Sequence, residues 1–154
     1  MQPTFVDKPG FAVMGVLNSG DPATLDYGDI WGNQFASRAM DIGPLATEKN
    51  AYGVYFATAQ EGIVDMVAGM PVAIGTEALE GLVVREVPAT TYALFPCKMA
   101  QISETWKAIE DEWLPSSEYE WDQSGACFEL FPPESTDAPD SPLTIYVAVK
   151  KKEG

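Results

Sequence analysis

The segment Ala126-Cys-Phe-Glu-Leu-Phe131 sets one carboxylate among residues that otherwise favour burial. Side chains alternate along a strand, so Cys127, Glu129 and Phe131 share one face and Phe128 and Leu130 the other. Glutamate is seldom buried unless it is paired. A buried, unpaired carboxylate takes up a proton, because burial penalises the charged form and lifts the pKa. A delocalised organic cation reverses that balance, through Coulomb attraction in a low dielectric and through contact with aromatic faces. The same alternation gives Leu143-Thr-Ile-Tyr-Val-Ala-Val149 an apolar face of Leu143, Ile145, Val147 and Val149. Thr144, Tyr146 and Ala148 form the opposite face. The apolar faces are expected to bury against helices, leaving the faces with Glu129 and Tyr146 to look into a groove. On residue types alone, Glu129 reads first as an ordinary strand glutamate facing solvent.

Other chemistries are excluded by what the chain lacks. Its 154 residues include no histidine, which removes Ser-His-Asp and Cys-His catalysis, His-ligated zinc and a histidine pH switch. No metal site and no cofactor is expected. Nine Lys and Arg stand against 23 Asp and Glu, a net charge of −14. A chain so acidic is a poor partner for nucleic acid, whose phosphates need clustered Lys and Arg. The only two cysteines, Cys97 and Cys127, read as reduced thiols in a cytoplasmic protein. No signal peptide and no membrane-spanning stretch is visible. From Glu110 to Asp140 there are ten acids and no Lys or Arg. That run reads as a solvated surface, with a cation-concentrating field as the sharper alternative.

Positioning these residues requires a fold, and the apolar patterning suggests one. Phe11–Leu17 reads as a strand, Asp26–Ala39 as a helix closed by Gly43-Pro44, and Tyr52–Ala57 and Val64–Ile74 as strands. Leu82–Val87 is a further strand, broken by Pro88, and Thr90–Phe95 another, stopped by Pro96. Ser103–Leu114 reads as a helix with Ser103 as N-cap, an apolar stripe of Ile102, Trp106, Ile109 and Trp113, and Pro115 as its end. Ala126–Phe131 and Leu143–Val149 are the last strands, joined by a loop over 132–142. The tail Lys150–Gly154 is expected to be solvated. The order strand, helix, strand, strand thus occurs twice, with Trp31 and Trp106 at matching places. Two such halves make one α+β domain: an antiparallel sheet with helices on one face and a ligand groove between the halves.

Residue strings carry this further. Tyr52-Gly-Val-Tyr-Phe56, Met66-Val-Ala-Gly-Met-Pro-Val72 and Val87-Pro-Ala-Thr-Thr-Tyr-Ala-Leu-Phe-Pro96 resemble the GyrI-like small-molecule-binding domain. That domain is also the effector-binding part of AraC-type and MerR-type multidrug regulators. Thr105-Trp106, Glu112-Trp-Leu-Pro115, Phe128-Glu-Leu-Phe131 and Ser141–Lys150 follow the same order, so the resemblance spans about residues 11–150. It implies an aromatic-lined groove and a buried glutamate that meets cationic lipophilic ligands. The glutamate falls on Glu129 and the tyrosine of the Ile-Tyr-Val segment on Tyr146. Trp31, Tyr55, Trp113, Tyr92 and Phe95 are candidates for the groove wall. Tyr92 and Phe95 lie on opposite faces of one strand, so at most one of them lines it, and Trp106 is expected in the core.

The expected function is that of a stand-alone binding module for cationic lipophilic small molecules, one domain over residues 1–154, as a monomer or weak homodimer. Only ten residues precede the first expected strand, so no DNA-binding domain is expected. Two alternatives come with the family. One is hydrolysis of an electrophilic small molecule, with Glu129 as general base and Tyr146 orienting the water. The other is a protein partner such as DNA gyrase.

Overall fold

The doubled order of elements is visible in how the strands assemble. The computed structural model describes residues 2–153. Nine strands among the described residues form one antiparallel sheet: β1 (Thr4–Lys8), β2 (Phe11–Gly20), β3 (Ala51–Ala57), β4 (Val64–Val72), β5 (Val83–Val87), β6 (Thr90–Lys98), β7 (Tyr119–Trp121), β8 (Cys127–Phe131) and β9 (Pro142–Lys151). They lie in the order β1-β6-β9-β8-β3-β4-β2-β5, with β7 alongside the end of β9. The middle of this row is the β3–β8 pair. On one side stand β4 and β2, on the other β9 and β6, so each half presents its strands in mirrored sequence. The β3–β8 register runs from Ala51 opposite Phe131 to Tyr55 opposite Cys127, with Gly53 and Glu129 facing each other at its centre.

Helical turns join β2 to β3 and β6 to β7. The first connection contains α1 (Tyr27–Asp29), a π turn over Ile30–Phe35 and α2 (Ala39–Ile42). Asp26 starts it, its carboxylate accepting the Asp29 N–H at 3.1 Å. The second holds α3 (Ile102–Ala108), a π turn over Ile109–Trp113 and α4 (Leu114–Ser116). Ser103 is not its cap. The helical run begins earlier, at Met99, where the Gln101 side chain accepts the Lys98 N–H at 3.1 Å. Pro115 does not end the helix; it occupies the first turn of α4, where a missing N–H leaves no bond unmade.

The helical turns cover one face of the sheet. In the second half Ala93, Phe95, Leu143, Ile145, Val147 and Val149 lie beneath Ile109 and Leu114, as the alternation of the last strand requires. In the first half Met66 and Ala68 lie beneath Ile30, with Trp31, Phe35 and Tyr27 packed alongside. The other face closes on itself. Pro88 and Ala89 alone join β5, at one edge, to β6, next to the opposite edge. Two residues reach only about 10 Å, so the sheet must curl. Gly15 and Gly69, paired across β2 and β4, permit the close approach. A Cβ on Gly15 would fall 2.1 Å from the Ala68 carbonyl oxygen, and one on Gly69 1.9 Å from that of Met14. Inside the curl, Phe128 stacks between Tyr52 at 4.7 Å and Tyr146 at 4.4 Å, with Tyr92 edge-on at 5.2 Å and Phe11 at 5.5 Å.

The structure departs from the sequence pattern at several elements. β1 precedes the first expected strand, and β7 was not expected at all; at five and three residues they give weak signals. β6 runs through Pro96 to Lys98, because its pairing with β1 ends at Leu94 and a proline beyond that point removes no hydrogen bond on that side. The tail is not wholly solvated. β9 extends to Lys151, and the Lys152 ammonium donates to the carbonyls of Leu114 at 3.1 Å and Ser117 at 2.8 Å, capping the helical run. The final residue of that tail, Gly154, lies outside the described residues. Cys97 and Cys127 are free thiols, and burial pushes the Cys127 thiol up to about 12.

Candidate functional site

Glu129 occupies the middle of β8, which borders the centre line of the sheet, and only 4% of it is exposed. It pairs with Ile145 of β9 on one side and Gly53 of β3 on the other. Ile145 belongs to the helix-covered face, so Glu129 does too, contrary to the expectation that its face turns away from the helices; the apolar Phe128 and Leu130 take the other face, and the carboxylate sits between the two helical connections. The other nine acids between 110 and 140 are exposed or partly so. None of the four ion pairs among the described residues includes Glu129.

Two neutral donors satisfy the carboxylate. The Tyr55 hydroxyl donates to Oε1 at 3.0 Å and the Trp106 indole N–H to Oε2 at 2.9 Å. Burial lifts the pKa of Glu129 above the ordinary carboxylate range; the Trp106 and Tyr55 hydrogen bonds, which favour the charged form, offset this only in part. Tyr55 is itself pushed well up, first by burial and then by the charge of Glu129. The Tyr27 hydroxyl neighbours that of Tyr55 and donates to the Pro22 carbonyl at 2.5 Å, so hydroxyls lead from the buried acid to a surface turn.

Aromatic rings enclose this acid. Tyr55 and Trp106 meet edge to face with centroids 6.3 Å apart, and Trp121 stacks on Trp106 at 6.4 Å. From the first half, Trp31 meets Phe131 and Phe35 edge-on, each at 5.2 Å. Trp31 and Trp106 thus reach the centre of the sheet from the two halves, each just ahead of or within a π turn. Such turns recur at functional sites. These side chains leave only 4% of Glu129 exposed. A cleft of about 440 Å³ lies instead on another flank of α3, along Phe95, Cys97, Gln101 and Thr105, and Glu129 does not line it.

The structure therefore brings together Glu129, Tyr55 and Trp31, and leaves four other candidates elsewhere. Tyr146 is not beside Glu129: in the β8–β9 register Phe128, not Glu129, stands opposite it, so the two side chains leave opposite faces of the sheet. Tyr146 and Tyr92 belong to the cluster inside the curl. Alternation fixes the faces within each strand but does not contain the parity of one strand against the next. Glu129 and Tyr146 thus cannot act on one water molecule. Phe95 shares the helix-covered face, but it packs under Trp113 at 5.1 Å, and Trp113 continues to Tyr119 and Phe5. Trp106, expected in the core, is a direct partner of the acid. The signal was its position matching Trp31, together with an indole N–H, the donor a buried carboxylate needs.

Trp106→Phe keeps the ring and removes the donor. Because that hydrogen bond holds the Glu129 pKa down, its loss is expected to move the carboxyl titration to higher pH, read from the infrared C=O band of the protonated acid.

The chain matches known proteins in family profile, in sequence and in fold. The profile of the Cass2 family, described as integron-associated effector binding protein, matches residues 4–149. A DNA gyrase inhibitor from Erwinia billingiae is 31% identical over 152 residues, covering 94% of this chain and 91% of the relative. The transcriptional regulator BrlR of Pseudomonas aeruginosa is 29% identical over 97% of this chain, which spans 56% of that regulator's length. Among solved structures, SAV2435 bound to tetraphenylphosphonium superposes with a TM-score of 0.76 at 13% identity, covering 97% of this chain and 94% of SAV2435. An integron cassette protein from Vibrio cholerae superposes with a TM-score of 0.66 at 19% identity, covering 97% of this chain and 96% of the other. At these identities the superpositions establish the fold. Among the described residues, no helix is long and apolar enough to cross a membrane.

Proposed function

This chain belongs to the Cass2 family of integron-associated effector binding proteins, and on that premise we propose that it binds cationic, lipophilic small molecules at Glu129. The observation that carries the reading is a nearly fully buried carboxyl with no cationic partner among the described residues, held by Tyr55 and Trp106 inside an aromatic enclosure. An acid in that setting is unsatisfied electrostatically when ionised and fully paired only when a cation arrives. Rings on several sides tolerate many ligand shapes, which favours breadth over tight selectivity. The tetraphenylphosphonium held by SAV2435 supports the same ligand class.

Calorimetric titration tests this. Tetraphenylphosphonium is expected to bind and to release protons into the buffer, while a neutral triphenylphosphine oxide of similar bulk binds at least about tenfold more weakly. Equal binding of both compounds would refute the proposal. The relationship to a DNA gyrase inhibitor supports a second reading, in which the acidic surface meets a basic protein partner. Under it the protein inhibits gyrase supercoiling, Glu129→Gln retains the inhibition, and neutralising exposed acids such as Glu110, Asp111 and Glu112 removes it.

A further inference from the structure

Gly53 is the counterpart of Glu129 in the doubled fold: the two stand opposite each other at the centre of the β3–β8 register, where the halves meet. One half supplies a carboxylate at this point and the other supplies bare backbone. A Cβ on Gly53 would stand 3.1 Å from the Met66 methyl carbon, 3.2 Å from Trp31 Cζ2 and 3.5 Å from Glu129 Oε1. The Trp31 indole therefore rests on the glycine backbone with the carboxylate beside it. The backbone does not call for glycine here, since Gly53 is not among the positive-φ residues. What the missing side chain provides is a flat floor, continued by Ala68, the fully buried partner of Gly53 on β4.

A ligand cation drawn to Glu129 meets this floor next to the charge. Resting on the reading of Glu129 as the cation's partner, we infer that Gly53 is a specificity-determining residue. It seats one flat aromatic ring carried beside the ligand's positive centre, in the place the Trp31 indole fills in this structure. Binding then exchanges one ring for another on the same backbone. A cation without a ring gains the attraction of Glu129 but leaves the floor unused. The preferred class is a monocation bearing an aryl or benzyl group, rather than organic cations in general.

Benzyltriethylammonium and tetraethylammonium differ by one ring and make the test, each titrated calorimetrically into wild type and Gly53→Ala. The wild type is expected to prefer the benzyl cation. In Gly53→Ala the added methyl group lifts the ring from its seat, so the benzyl cation weakens about tenfold or more while tetraethylammonium stays within about twofold. A change equal for both cations, or no change for either, overturns the seat alone. Failure of both cations to bind wild type overturns the seat and the Glu129 reading together. The wild type supplies a measurement independent of the variant's folding. NMR cross-peaks between the benzyl ring protons and the Gly53 Hα protons are expected, and ring cross-peaks to other residues without Gly53 would overturn the assignment.

Discussion

Glu129→Gln is expected to weaken tetraphenylphosphonium binding about thirtyfold to a thousandfold at pH 8, the cost of removing one member of a buried charge pair. Glutamine keeps the shape, but its amide has one acceptor atom where the carboxylate has two, so it cannot receive both the Tyr55 hydroxyl and the Trp106 N–H. The larger loss is the charge itself. Burial holds the Glu129 pKa up in the absence of a cation, and a bound cation stabilises the ionised form and lowers it. Between those two pKa values binding expels a proton. Affinity should therefore rise with pH by up to about tenfold per unit and flatten above the upper value. In Glu129→Gln that dependence should vanish. For folding the sign is reversed: a pKa raised in the folded state gives stability that is complete below the ordinary carboxylate pKa and is lost as pH rises through the folded value. Thermal melts should show this decline in the wild type and not in the variant. A variant that binds as tightly as wild type, with the same pH slope, would move the cation's partner elsewhere.

The second large effect lies on the opposite side of the sheet. Phe128→Ala should destabilise the protein by about 3–5 kcal/mol, the usual cost of truncating a buried phenylalanine. Phe128 is fully buried and stacked between Tyr52 and Tyr146, with Tyr92 and Phe11 against its edges. These rings come from β2, β3, β6, β8 and β9, so the cavity would open where the curled sheet closes on itself. The melting temperature should fall by about 6–20 °C. Because Phe128 and Glu129 leave opposite faces, the folded fraction should still bind tetraphenylphosphonium with wild-type affinity. A variant that melts normally would show that the ring cluster does not hold the curl.

That division of faces explains what could be read in the sequence. The strands with strong apolar patterning, the doubled order and the unusual position of Glu129 were all legible, because alternation and breakers are local. The pairing of Glu129 with Tyr146 was misplaced, because the relative parity of β8 and β9 is a tertiary fact: a shift of one residue in that register would have made it right. The curl was hidden for a similar reason. Gly15 and Gly69 are ordinary strand glycines until β2 and β4 lie side by side, when each occupies the space the other's side chain would need. Trp106 read as core from its helical stripe, and half of that is right: its ring packs with Trp121, while its N–H serves the acid.

The hydrogen bond from Trp106 to Glu129 has an optical consequence. Indole emission shifts in wavelength and intensity when a charge appears or disappears next to the ring. Here the ring's own N–H rests on the group whose charge changes, so loss of the proton should recolour Trp106 directly. The protein carries its own indicator dye, and a pH series followed in fluorescence, with Trp106→Phe as the blank, would trace the state of the buried acid without any label.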